Sequence, residues 1–195
     1  MPPSERPIPL FAAEPPQEPL PYGRWAETLA EQFEKAAEAE IGEVLWFPER
    51  SFGGRTYVPA TAPSGEGEVF GYVSYTREHE GAQASDLVAV ADYTDETAAD
   101  NSDWTLDLSD QEIGHWRGPQ GRRGVITLVW GVSLVANGVV ATAELGPTTT
   151  DQCELLEERF TLVSLDAYTG DYVEVRLYGS DGTELTRESL YEDGD

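Results

Sequence analysis

The sequence is poor in positive charge, has one cysteine and contains no long apolar run. Of 195 residues only 12 are Lys or Arg, and lysine occurs once, at Lys35. Asp and Glu total 37, which sets the formal charge at −25. A sequence-independent grip on nucleic acid needs Lys and Arg to neutralise phosphates, so nucleic acid is excluded as an expected partner. The same sign excludes attraction to an anionic membrane surface. The lone Cys153 rules out an internal disulfide and a multi-cysteine zinc or iron–sulfur site. No apolar stretch reaches the roughly 18 residues of a membrane span. The opening Met-Pro-Pro-Ser-Glu-Arg lacks the basic and apolar regions of a secretory signal, so a cytoplasmic setting is expected.

What is present is enough for a core. Hydrophobic residues make up 39% and aromatics 10%, with five Trp and nine Tyr, which separates this chain from disordered acidic sequences.

Proline divides the chain. Eight of the 13 prolines lie in residues 1–22. Proline has no N–H for a ladder and biases its predecessor to extended geometry, so this segment reads as an extended arm. Ile8, Leu10, Phe11, Leu20 and Tyr22 sit between the prolines. A purely solvated linker has no need of large apolar residues, and these five are the candidate partner-binding residues.

A single mainly-β domain is expected over 23–191, followed by an acidic tail, 192–195. It opens with an amphipathic helix over 24–41. Trp25, Leu29, Phe33 and Ala37 recur every four residues, while Glu27, Glu31, Glu34 and Glu38 lie off that stripe. Strand patterns follow. Val44–Phe47 is stopped by Pro48, and Arg55–Val58 is a short strand before Pro59 and Pro63. Val69–Tyr75, Leu87–Ala91 and Trp104–Leu108 come next. The run Val125–Ala136, apolar on both faces, reads as a central strand. Asn137-Gly138 then predicts a type I′ hairpin into Val139–Leu145. Phe160–Leu165 is a further strand, and Tyr172–Tyr178 turns at Ser180-Asp181-Gly182 into Thr183–Arg187. The expected fold is α+β, mainly antiparallel β, as a sandwich or one strongly bent sheet with the helix packed on it.

Candidate chemistry concentrates in Gly114–Gly124. His115, Trp116, Arg117, Arg122 and Arg123 lie among four glycines, and arginine forks in a Gly-rich loop suit a carboxylate or phosphate. The spacing matches no phosphate-loop motif. The plain alternative is a surface loop whose arginines pair with the chain's own acids. A second feature is acidic: no Lys or Arg occurs between Arg77 and Arg117. The order of those acids is not that of a calcium loop, and solvated acid or a basic partner face explains them. His79 and His115 are too far apart in sequence to define a metal site, and no G-x-S-x-G is present. A carbohydrate platform would need exposed aromatics side by side. Trp104, Trp116, Trp130, Tyr72, Tyr75 and Tyr93 are assigned mainly to the core, with Trp116 the one expected to be exposed.

No catalytic residues, metal or cofactor are indicated. The expected role is a non-catalytic accessory or assembly subunit, docking on a partner protein through its arm and acidic β domain. The alternative is a small-anion-binding or enzymatic β domain with its site at the His115–Arg123 loop.

Overall fold

Period-two burial organises most of the chain. The computed structural model describes residues 20–191. Helix α1 (Gly23–Ala37) is followed by β1 (Leu45–Trp46), β2 (Arg50–Phe52), β3 (Arg55–Ser64), β4 (Gly67–Thr76), β5 (Ser85–Thr94) and β6 (Leu106–Arg117). Then come β7 (Arg123–Ser133), β8 (Gly138–Leu145), β9 (Thr148–Glu154), β10 (Arg159–Asp166), β11 (Val173–Gly179) and β12 (Glu184–Ser189). The strands form three antiparallel sheets and no barrel. In sheet A, β1 and β2 both pair with β3, which continues to β4 and β5; sheet B has the order β10-β7-β6, and sheet C the order β12-β11-β8-β9.

The sheets stack, because alternate side chains of the strands in sheets A and B enter different cores. Leu29 and Phe33 of α1 pack on Val58, Ala60, Val69, Val73 and Tyr75 of sheet A. The other face of that sheet sends Tyr57 and Tyr72 against Ile126, Leu128, Trp130, Val163 and Leu165 of sheet B. Sheet B's second face sends Val129, Phe160 and Leu162 against Ala141, Ala143, Val175 and Leu177 of sheet C. Leu29 and Phe33 are fully buried, and burying each side chain stabilises by about 1.5–3 kcal/mol. One buried ion pair ties the layers. Arg50 Nη2 of sheet A donates to Asp151 Oδ1 of sheet C at 2.6 Å, and Asp151 Oδ2 accepts the Val163 amide of sheet B at 2.9 Å.

The structure departs from the sequence reading in particular places. The strands form three sheets, not one bent sheet and not the two of a simple sandwich. The helix ends at Ala37, where Glu38 turns left-handed at φ 51°. Strand β3 runs through Pro59 and Pro63 instead of stopping before them. The carbonyls of Pro59 and Pro63 accept the Phe47 and Gly42 amides. Both imide nitrogens therefore face the broken β1/β2 side, and no bond toward β4 is lost. The predicted Asn-Gly hairpin is absent: β7 lies in sheet B and β8 in sheet C. Asn137 has φ 69°, but Gly138 is not left-handed and packs on Leu177, so the two-residue I′ geometry never forms. The hairpin at 172–187 is present. There β11 pairs with β12, Gly182 turns at φ 79°, and Asp181 Oδ1 accepts the Thr183 amide at 2.9 Å.

Candidate functional site

The Gly114–Gly124 segment is no free loop. Its first half completes β6 and its last residues open β7, with Trp116 opposite Gly124 and Arg117 opposite Arg123. A 3₁₀ turn, Pro119–Gly121, joins them, with Gln120 and Gly121 both left-handed. The turn closes on itself: the Gly118 amide donates to Arg122 O at 2.8 Å, and the Arg122 amide donates to Pro119 O at 3.3 Å.

Trp116 points back into the body. Its ring meets Tyr168 edge-on at 4.8 Å and joins the core between sheets A and B. Gly118 is required beside it, because a Cβ there would lie 2.5 Å from the indole ring. The expectation of an exposed Trp116 is thus overturned: its apolar area is used to anchor the hairpin. His115 is exposed, with its Nε2 3.1 Å from Glu112 Oε1. Arg117, Arg122 and Arg123 are exposed, and none pairs with a carboxylate among the described residues. Pairing with acids among the described residues does not account for them. The hairpin carries three exposed arginines at its tip, with two of its amides already used inside the turn.

Of the arm residues, Ile8, Leu10 and Phe11 lie outside the described residues. Leu20 is half-buried, and Tyr22, the residue before α1, is 81% exposed. They lie far along the sequence from the hairpin, and among the described residues no hydrogen bond, ion pair or ring contact joins Leu20 or Tyr22 to it.

Two further sites emerge only from the stacking. Where sheets A and B meet, Glu68, Asp107, Ser109, Thr61 and Trp130 line a cavity of about 40 Å³. Burial and the neighbouring Asp107 push the Glu68 carboxyl up to about 7, and burial raises Asp107 as well. The Trp130 indole N–H is buried without a partner among the described residues. The volume suits a water and is too small for an organic substrate. The second site is an open cleft of about 600 Å³ on the outer face of sheet C, bounded by Gly146, Asp171, Tyr172, Arg176, Arg187 and Tyr191. Sequence reasoning passed over it, although Tyr172, Glu174, Arg176 and Tyr178 alternate with apolar residues and share one strand face.

Among the described residues no group of three His, Cys, Asp or Glu is placed to hold a metal ion. Cys153 is buried in the core between sheets B and C, away from all these sites. No helix among the described residues is long and apolar enough to cross a membrane. No protein-family model, curated protein or solved structure matches the chain.

Proposed function

We propose that this protein is a non-catalytic docking subunit that binds a partner protein, with the β6–β7 hairpin as one of its contacts. The observation that carries this reading is the trio Arg117, Arg122 and Arg123. In a chain of charge −25 these three stay exposed and unpaired with any carboxylate among the described residues. Arginine on a rigid, aromatic-anchored tip suits insertion into an acidic recess of another protein, where bidentate pairs to carboxylates form. The acidic remainder of the surface suits the basic surroundings of such a recess, since complementary potentials speed encounter and fix register. The arm residues Ile8, Leu10, Phe11, Leu20 and Tyr22 are the second proposed contact.

The same arginines are the basis of the alternative, a small-anion site. A free anion is best held in a concave nest of amides, and the Gly118 and Arg122 amides are spent within the turn. Protein docking is therefore preferred.

Recovery through a C-terminal tag at moderate salt, with sizing and mass spectrometry, tests the proposal. A stoichiometric partner is expected. Its recovery should fall sharply in the R117E/R122E/R123E variant and on deletion of residues 1–20. A monodisperse lone protein, or recovery unchanged in both variants, would sink the reading. Titration with inorganic phosphate, followed at the hairpin amides by NMR, decides on the alternative.

A further inference from the structure

Stacking leaves one sheet face bare among the described residues. Sheet A is covered by α1 and sheet B, and sheet B by A and C, whereas sheet C is covered on its inner face alone. On the bare face, β11 and the residue before it present Tyr172, Glu174, Arg176 and Tyr178. At ~3.4 Å per residue this strip is about 20 Å long. Neighbouring strands widen it: Glu144 and Ser189 flank Glu174, and Thr142 and Arg187 flank Arg176.

Aromatic surface walls one end. The rings of Tyr172 and Tyr191 lie 4.6 Å apart, tilted by 44°, and the two residues are 41% and 49% exposed. Two large apolar rings kept half in water at the rim of a 600 Å³ cleft form a ready stacking surface. The polar groups of the strip are held in fixed orientations. Glu174 Oε1 accepts Arg176 Nε at 2.7 Å and lies 3.5 Å from Arg187 Nη1, and Glu184 accepts Arg187 Nε at 2.6 Å. Glu144 accepts the hydroxyls of Thr142 and Thr149.

The charges on this face are mixed, with two arginines among the four carboxylates of Glu144, Asp171, Glu174 and Glu184, and each arginine is paired to a carboxylate. Arg176 and Arg187 oppose a cation, while Glu144, Asp171 and Glu174 oppose an anion. The complementary ligand is extended and uncharged, with a flat C–H face for the rings and many hydroxyls for the carboxylate and guanidinium edges. We infer that the outer face of sheet C binds a neutral saccharide chain lying along β11, with sugar faces on Tyr172 and Tyr191 and hydroxyls on Glu174, Arg176 and Arg187. This site is separate from the hairpin contact and does not depend on it.

Native electrophoresis of the full chain through gels containing hydroxyethylcellulose, galactomannan or dextran tests the inference. Retardation is expected in at least one gel. The Y172A/Y191A variant should bind about tenfold more weakly or worse, as truncated aromatic anchors do. R187A, a milder change at an exposed side chain, should weaken binding with the melting temperature unchanged, which guards against loss by misfolding. Y93A, on the remote β5, should leave it intact. No retardation in any gel overturns the inference, as does retardation that survives Y172A/Y191A. A tetralysine peptide that binds this face and is displaced by salt, with the polysaccharides inert, overturns it in favour of a cationic ligand.

Discussion

Asp151 touches three sheets with one carboxylate. Its oxygens accept from Arg50, from the Gln152 amide and from the Val163 amide. Burial pushes this carboxyl up, while Arg50 and the two amides pull it back. Both members of the ion pair are 3% exposed, so removing one strands a buried charge. D151N should lower the unfolding free energy by about 3–5 kcal/mol in urea titrations, whereas an R50M/D151L double variant should recover most of that loss. Glu68 gives a pH signature of the opposite kind from the usual carboxylate. Its carboxyl titrates at about 7 in the folded protein against an ordinary 4.5. Between those values the folded state holds a proton that the unfolded state has released. This contribution to stability is complete below about 4.5 and is lost as pH rises through 7. The urea midpoint should therefore fall from pH 5 to pH 8, and E68Q should fall less; equal falls would show that Glu68 is not the group responsible.

At the scale of elements, the acidic stretch acquires a structural reason. The segment free of Lys and Arg contains β5 and all of β6 but its last residue, the open edge strands of sheets A and B, together with the connection between them. Among the described residues, no further backbone bond covers the outer edge of either strand. Charge on an open edge discourages pairing with another chain. A D110V/E112V variant on β6 should fold and then aggregate, measured by light scattering over time at moderate salt. Much of this architecture was legible in the sequence because burial alternates along the strands. β7 is apolar on both faces, and its place at the centre of a three-stranded sheet follows from that. The same pattern is silent on which sheet a strand joins. β8 looked like the partner of β7 because Asn137-Gly138 separates two β-branched runs, yet the chain crosses from sheet B to sheet C between them. β9 escaped notice because Thr148-Thr149-Thr150-Asp151 buries polar groups that only the layered arrangement satisfies, such as Thr150 Oγ1 beside Ser164 Oγ at 2.6 Å. The five residues of the Gly114–Gly124 segment were identifiable, but their roles were not. Separating Trp116 from the arginines requires knowing that Tyr168 waits beneath it. The Tyr172–Tyr191 pair was hidden for a different reason, since those residues meet only through the β11–β12 register.

For the whole molecule, charge is the dominant long-range force. A formal −25 on one chain repels itself, and salt screens that repulsion over a Debye length of about 10 Å at 0.1 M. The melting temperature should rise from low to moderate salt, and a flat profile would mean that local pairing already cancels the field. The stacked sheets also differ in how the chain builds them. Helix α1 and sheet A are drawn from one uninterrupted stretch, 23–94, while sheets B and C alternate along the chain from β6 to β12. The first half therefore closes through near neighbours, and the second demands distant pairings made together, which is the slower kind of folding. During synthesis the first half leaves the ribosome well before β7 and β10. Until those strands arrive, Tyr57 and Tyr72 have only each other and their own sheet to pack against. The nascent chain thus carries a bare aromatic wall for as long as the remaining strands take to emerge, and a ribosome-associated chaperone would find its substrate there.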